Sequence, residues 1–239
     1  MSQTLLLIAG KISFETKYLF TSLKLNTIKT FTKGELAVNH GKYRFNFYGG
    51  GDRGEILYHA FWDKMFDEDK NKIKNFVHKG DTILDVGGNL GFFVLILTDL
   101  INDSGKIYSF EPSNRLNKKL ASTIRINILK NVEIVNLALG EEDGTSSLYY
   151  NPKQSGLSSI VTHSEKDYLI EEIKITTIDK FSKKISDRIA FIKIDTEGFE
   201  PQVLRGAKET IKKDKPIIYI ELGGDHLESS LEALKVLKT

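Results

Sequence analysis

Among its 239 residues the sequence has no cysteine, only four prolines and a single tryptophan. Without cysteine there are no disulfides, no thiolate metal ligands and no cysteine nucleophile, which suits a reducing compartment; the cytoplasm is the expectation. Long apolar runs are missing too. The N-terminal stretch Leu5 to Ala9 (LLLIA) is too short for a signal core and has no basic segment before it, and nothing approaches the ~20 apolar residues of a membrane span. Nor is there an excess of one charge. Basic residues number 34 and acidic ones 32, with the lysines spread along the chain, so nothing calls for a nucleic-acid partner. The histidines (His40, His59, His78, His163, His226) are scattered and have no ligand-like spacing.

What is present is 40% hydrophobic and 28% charged residues, the balance of a folded globular chain with room for one main domain and a small appendage. Residues 1–54 read as a helical and β-hairpin extension. Phe14, Tyr18, Leu19 and Leu23 have loosely helical spacing, and ELAVNH and KYRFNFY alternate about His40-Gly41 as hairpin strands do. After GGGDRG a helix is predicted from Glu55 to Val77, closed by Lys79-Gly80. Residues 55–239 then form an α/β domain. From Asp81 the segments TILDV, KIYSF, VEIVNL, IAFIKI and PIIYIE alternate with helical stretches, the rhythm of a parallel sheet with helices on both faces. About fifty residues separate VEIVNL from IAFIKI, too many for one crossover helix, so extra strands and a loop are expected there. Near the C-terminus Asp225 is placed to cap a helix, with Glu228 three residues on and Leu227, Leu231 and Leu234 on one face.

The stretch DTILDVGGNLGFF (Asp81 to Phe93) runs from strand through a glycine turn to a helix start. Its glycines, Gly87, Gly88 and Gly91, do not form the dinucleotide fingerprint GxGxxG. Twenty residues after Gly91 comes Glu111, ending the next strand, where an acid can accept hydrogen bonds from ribose hydroxyls. Asp85 sets a carboxylate beside the turn. That charge opposes the phosphates of NAD and favours S-adenosylmethionine, which carries an ammonium and a sulfonium. A purely structural reading, in which the glycines only permit a tight turn, remains beside it.

In IAFIKIDTEGFEPQVLRGA, strand alternation puts Lys193 and Asp195 on one side, followed by Glu197 in the turn, Glu200 at the helix start and Pro201 at its first position. Strand ends of this kind face the ligand crevice of open α/β sheets. Asp195 or Glu197 suits a general base, and Lys193 an orienter of an acceptor oxygen. The residues do not choose between the two carboxylates. A divalent metal held by Asp195, Glu197 and Glu221 is a second mechanism, without a clear motif.

Together DVGGNLG, FEP, NLALG, IKIDTEGFEPQVLRGA and IYIEL resemble the FkbM-like family of S-adenosylmethionine-dependent methyltransferases, over roughly Trp62 to Leu222. The resemblance implies a Rossmann-like class I sheet and methylation of hydroxyl oxygens of polyketides, sugars or glycans. It implies that Asp85, Gly87, Asn89 and Gly91 meet the methionine part, with Gly88 where alanine is usual. Glu111, followed by Pro112, falls at the ribose; Asn136, Ala138 and Leu139 fall near the adenine. Trp62-Asp63 matches an aromatic-acid pair ahead of the loop. Class I sheets usually end in two further strands, which this sequence lacks, so Pro216 to Glu221 is expected at a sheet edge. An open edge or the N-terminal extension then suits a homodimer contact.

Two other readings stand beside a small-molecule or glycan O-methyltransferase. One is an NAD-dependent oxidoreductase, and the other a non-catalytic or truncated protein of the same fold. Methylation of a nucleic-acid base is disfavoured, since Asp195-Thr196-Glu197-Gly198 stands where base-amine enzymes carry an Asn/Asp-Pro-Pro-Tyr-like segment. The acceptor would be read by Tyr149 to Ser159 and by the N-terminal extension.

Overall fold

A computed structural model describes residues 17, 19–25, 36–48, 53–151, 154–160, 168–222 and 226–238. The chain enters through a hairpin, β1 (Leu36–His40) and β2 (Tyr43–Phe47), then a long helix α1 (Arg53–Ile73). The alternating core follows: β3 (Thr82–Val86), α2 (Phe92–Ile101), β4 (Lys106–Phe110), α3 (Asn114–Ile126) and β5 (Val132–Val135). Next come β6 (Ala138–Leu139), β7 (Gly144–Asn151), β8 (Gln154–Ser159), β9 (Leu169–Thr176) and the short α4 (Ile178–Ser182). The last elements are β10 (Ile189–Ile194), α5 (Glu200–Arg205), α6 (Lys208–Asp214), β11 (Ile217–Ile220) and α7 (Leu227–Val236).

Five of these strands form one parallel sheet in the order β11-β10-β3-β4-β5. Their near-continuous apolar runs are what a sheet buried on both faces requires. Ile83, Ile107 and Phe191 point to one face, where α2 and α3 supply Leu95, Leu116 and Leu120. Leu84, Phe110, Ile192 and Ile194 point to the other, against Ile178, Phe181, Val203 and Leu204. The Rossmann-like architecture expected from the alternation is present. Among the described residues β11 is an edge strand of this sheet, as the sequence predicts, and β5 is the other.

The fifty-residue interval holds β6 to β9, which form a second, four-stranded sheet in the order β6-β9-β7-β8. Residues 19–25 are helical; most of the N-terminal helix expectation, and the Asp225 cap, lie outside the described residues. The helix expected to reach Val77 stops at Ile73, where Phe76 N–H bonds back to the Ile73 carbonyl and tightens the chain into a turn. Among the described residues no helix is long and apolar enough to cross a membrane.

The hairpin is fastened to three helices. Phe45 packs on Tyr58, His59 and Trp62 of α1, Asn46 Nδ2 donates to Ser122 Oγ of α3 at 2.8 Å, and Lys42 and Tyr43 bind Asp99 of α2. Because Phe45 is fully buried in this junction, Phe45→Ala is expected to cost about 3–5 kcal/mol of unfolding free energy. Urea unfolding would measure it. A loss below about 1 kcal/mol would mean that the hairpin is only loosely attached.

Candidate active site

The carboxyl ends of β3, β4, β10 and β11 open onto a cavity of about 590 Å³. From β3 the chain moves outward to β4 and β5, and the later strands β10 and β11 lie on its other side, so the crevice forms where the winding reverses. Register aligns Tyr219, Lys193, Asp85 and Ser109 in one row across four strands. Each of the four lies one step before the end of its strand, so a polar row runs directly beneath the loops.

Gly87 and Gly88 turn above that row, and their amides both donate to the Phe110 carbonyl, at 3.0 and 2.9 Å. Gly87 has φ of 86°, and a Cβ there would stand 1.9 Å from the Asp195 carbonyl oxygen. A Cβ on Gly88 would stand 2.3 Å from Ser109 Oγ. The alanine usual at this position would therefore collide with Ser109, which accounts for glycine here. Gly91 serves a different end: it caps α2 in the left-handed region and lets Leu120 and Thr123 of α3 close against the loop, outside the cavity wall.

Asn89 also has a left-handed backbone, and its N–H donates to Glu111 Oε2 at 2.8 Å. Glu111 Oε1 accepts from Ser113 N–H at 2.9 Å, so one carboxylate joins the glycine loop to the start of α3. Burial pushes the Glu111 carboxyl up to about 7, against the pull of the Ser113 and Asn89 amides. Asn89 Oδ1 is buried without a hydrogen-bond partner, in a loop that lines the cavity.

Lys193 is 3% exposed and binds three things at once. Its ammonium donates to the Gly87 carbonyl at 2.9 Å and lies 3.1 Å from Asp195 and 3.6 Å from Asp85. Burial alone would lower its pKa, but Asp195 and Asp85 outweigh burial and hold it above the ordinary lysine value. Asp85 is fully buried and accepts from Ser109 Oγ at 2.6 Å. Here the expectation that Asp85 meets the ligand needs correcting: it lies beside the turn but does not face the cavity. Strand alternation turns it inward, beneath Gly88, where Lys193 balances its charge. It lines no part of the cavity.

The acids that do face the cavity follow β10 and β11. Asp195 lines it beside Lys193, and Glu197 follows in a left-handed turn with φ of 53°. Glu200 does not cap its own helix; its Oε1 accepts from Thr196 N–H, Thr196 Oγ1 and Gly198 N–H and so fixes the turn, while Pro201 falls one place into α5. Burial, then the charges of Asp195, Glu221 and Glu200, push Glu197 up to about 8. The Glu221 carboxyl is raised above its ordinary value by the charge of Asp195 first and by burial second. Among the described residues no three acids or histidines are grouped so as to hold a metal ion.

The structure thus gathers Gly87, Gly88, Asn89, Glu111, Pro112, Ala138, Leu139, Lys193, Asp195 and Glu197 around one cavity. Asn136 stands behind its wall, with Nδ2 donating to the carbonyls of Glu111 and Pro112 at 2.9 Å each. Trp62 and Asp63 do not join them. Trp62 is buried by the hairpin, stacked on His40 at 4.5 Å between ring centres, and Asp63 is exposed. Tyr58, Met65 and Asp69 of α1 line the cavity instead, together with Phe93 and Tyr219, and the sequence reading missed all five. Only Tyr219 left a usable signal, as the penultimate strand position matching Lys193.

A parallel sheet with a glycine turn, an acid one strand away and a carboxyl cluster on the two strands of the other side defines a Rossmann-like methyltransferase class. Residues 85–237 match the profile of the Methyltransferase FkbM domain, and the chain belongs to that family. Two curated relatives are fungal. Methyltransferase 1 of Beauveria bassiana (strain ARSEF 2860) is 26% identical in an alignment of 145 positions that covers 52% of this chain and 57% of that protein. Methyltransferase sdnD of Sordaria araneosa is 30% identical in an alignment of 158 positions that covers 53% of this chain and 60% of that protein. The matches thus span little more than half the length of either relative. Among solved structures, the methyltransferase FkbM of Methylobacillus flagellatus KT aligns over 93% of this chain and 52% of its own, with 15% identity and a TM-score of 0.49.

The raised pKa of Glu197 has a measurable consequence. Between about 4.5, its unfolded value, and about 8 the folded state holds a proton that the unfolded state has lost, so this group's contribution to stability falls as pH rises through that window. Glu197→Gln, which mimics the protonated acid, is expected to flatten the decline of Tm with pH and to raise Tm near pH 8. Parallel Tm–pH curves for variant and wild type would contradict the assignment.

Proposed function

We propose that this chain is an S-adenosylmethionine-dependent O-methyltransferase, acting on a hydroxyl of a sugar, glycan, polyketide or other small metabolite. The observation that carries this reading is the position of Asp195 and Glu197: they share one cavity wall with Lys193, which itself holds the glycine loop.

The cavity suits the methyl donor on its own terms. Asn89 Oδ1, a buried acceptor without a partner, would take a hydrogen bond from the donor's ammonium. Glu111 would accept from the ribose hydroxyls, and Pro112 with Leu137, Ala138 and Leu139 offers an apolar slot for adenine. With Asp85 and Asp195 both paired to Lys193, the preference for a cation comes from Glu221 and from the open acceptor Asn89 Oδ1. Bound there, S-adenosylmethionine would supply an electrophilic methyl carbon on a positive sulfur.

The chain's own part is to align the acceptor hydroxyl and to take its proton. Asp195, ion-paired to Lys193, receives the proton, while Glu197, protonated up to about pH 8, donates a hydrogen bond that orients the oxygen. Carboxyl groups in these roles fit a hydroxyl acceptor.

The test uses tritiated S-adenosylmethionine with fractionated hydroxyl-rich extracts, and calorimetry with the donor alone. Asp195→Asn is expected to keep donor affinity within about threefold and to lose roughly 10²–10⁴ in methyl transfer. Unchanged transfer would remove Asp195 from the mechanism. Tight binding of NAD without binding of S-adenosylmethionine would overturn the whole reading.

A further inference from the structure

The helix at residues 19–25 turns its apolar side away from the protein. Leu25 is buried in a small cluster with Phe47 of β2 and Ile56 of α1, so its side of the helix faces the domain. Leu19, Phe20 and Leu23 are 60%, 69% and 65% exposed. At ~100° per residue these three share one arc, and Leu25 projects from the opposite side. A surface helix ordinarily turns such an arc inward. Single exposed apolar residues are common, but three adjoining ones on one helix face form a patch.

The charge around this patch is of one sign. Lys17 and Lys24 flank it, both exposed, and Lys17 lies 5.0 Å over the Phe61 ring of α1. Residues 1–34 hold five lysines and a single acid, Glu15, a formal charge of +4. The whole chain carries +2, so residues 35–239 carry −2. The net positive charge thus comes from the stretch that contains the patch. A second copy of the chain would set like charges against each other, and three side chains supply little of the ~800 Å² per partner that a stable protein interface takes. A lipid bilayer needs no matched surface: apolar side chains enter the acyl boundary while lysines meet anionic headgroups. Helix α7 provides the contrast. Leu227, Leu231 and Leu234 are exposed on it, but Glu228 and Glu232 stand beside them, and an anionic surface would repel that face.

We propose that the helix at residues 19–25 docks the protein on an anionic membrane surface, with Leu19, Phe20 and Leu23 entering the bilayer boundary and Lys17 and Lys24 meeting the headgroups. The protein then lies on the membrane through this element. Leu25 and Lys17 join the helix to α1, which also carries Tyr58, Met65 and Asp69 of the cavity wall, so the docked element is one helix away from the cavity.

The test is flotation of the full chain with phosphatidylcholine vesicles, with and without about 30 mol% phosphatidylserine. At about 50 mM NaCl the partition coefficient is expected to be at least about tenfold higher for the anionic vesicles, and to fall at least about fivefold at about 500 mM NaCl. The triple variant Leu19→Ser/Phe20→Ser/Leu23→Ser, altered only at exposed positions, should partition at least about tenfold less with Tm within about 3 °C of wild type. Leu231→Ser on α7 should leave partition unchanged. In Phe20→Trp, emission should move to the blue on anionic vesicles, which adsorption by charge alone would not cause; the chain's own tryptophan, Trp62, is buried. No partition onto the anionic vesicles, equal losses in the triple and α7 variants, or no emission shift would overturn the proposal. A dimer in sedimentation that the triple substitution dissolves, with no vesicle binding, would assign the face to a second copy instead.

Discussion

The ammonium of Lys193 is the charge on which the site depends. It lies inside the sheet layer, holds the Gly87 carbonyl, and stands between Asp85 below the loop and Asp195 at the cavity wall. A lone ammonium at that depth would be strongly disfavoured, and so would a lone Asp85 carboxylate. Each is tolerable because of the other, and Ser109 completes the arrangement by donating to Asp85. The glycine loop and the carboxyl cluster, which are 106 residues apart in sequence, are thereby fixed to one another through a single side chain.

Much of this was legible in the sequence, and the reason is periodicity. Alternation in IAFIKI put Lys193 and Asp195 on one side, and alternation in TILDV and KIYSF gave the strands almost to the residue. What a period of two cannot give is depth. It places Asp85 on a face but does not say whether that face meets a ligand or a neighbouring side chain, and the answer came from register: Lys193 is its direct partner on the next strand. Gly88 illustrates the same gap, since its lack of a side chain is explained by Ser109 on the neighbouring strand, across an intervening helix from any local signal.

Long-range packing hid the rest. Trp62 looked like a site residue by its place ahead of the loop, yet the hairpin covers it with His40 and Phe45. Tyr58 and Met65, which do reach the cavity, sit in a helix whose sequence gives no hint of which residues will lie over the sheet. Glu197 was recognisable by type, but its raised pKa comes first from burial and then from Asp195, Glu221 and Glu200, of which Glu221 is brought in by a separate strand. The cavity thus joins a half written in contiguous motifs to a second half assembled from distant elements.

The account stands or falls on whether Lys193 and Asp85 stabilise one another. A double-mutant cycle by urea unfolding, with Lys193→Met, Asp85→Asn and the two combined, measures this directly. Breaking the pair from either side is expected to cost about 3–5 kcal/mol, because the remaining group is left buried without its counterpart. The double variant should be more stable than the sum of the single losses predicts, by about 1–3 kcal/mol. Strict additivity of the two substitutions would show that the two groups do not depend on each other, and would contradict the account.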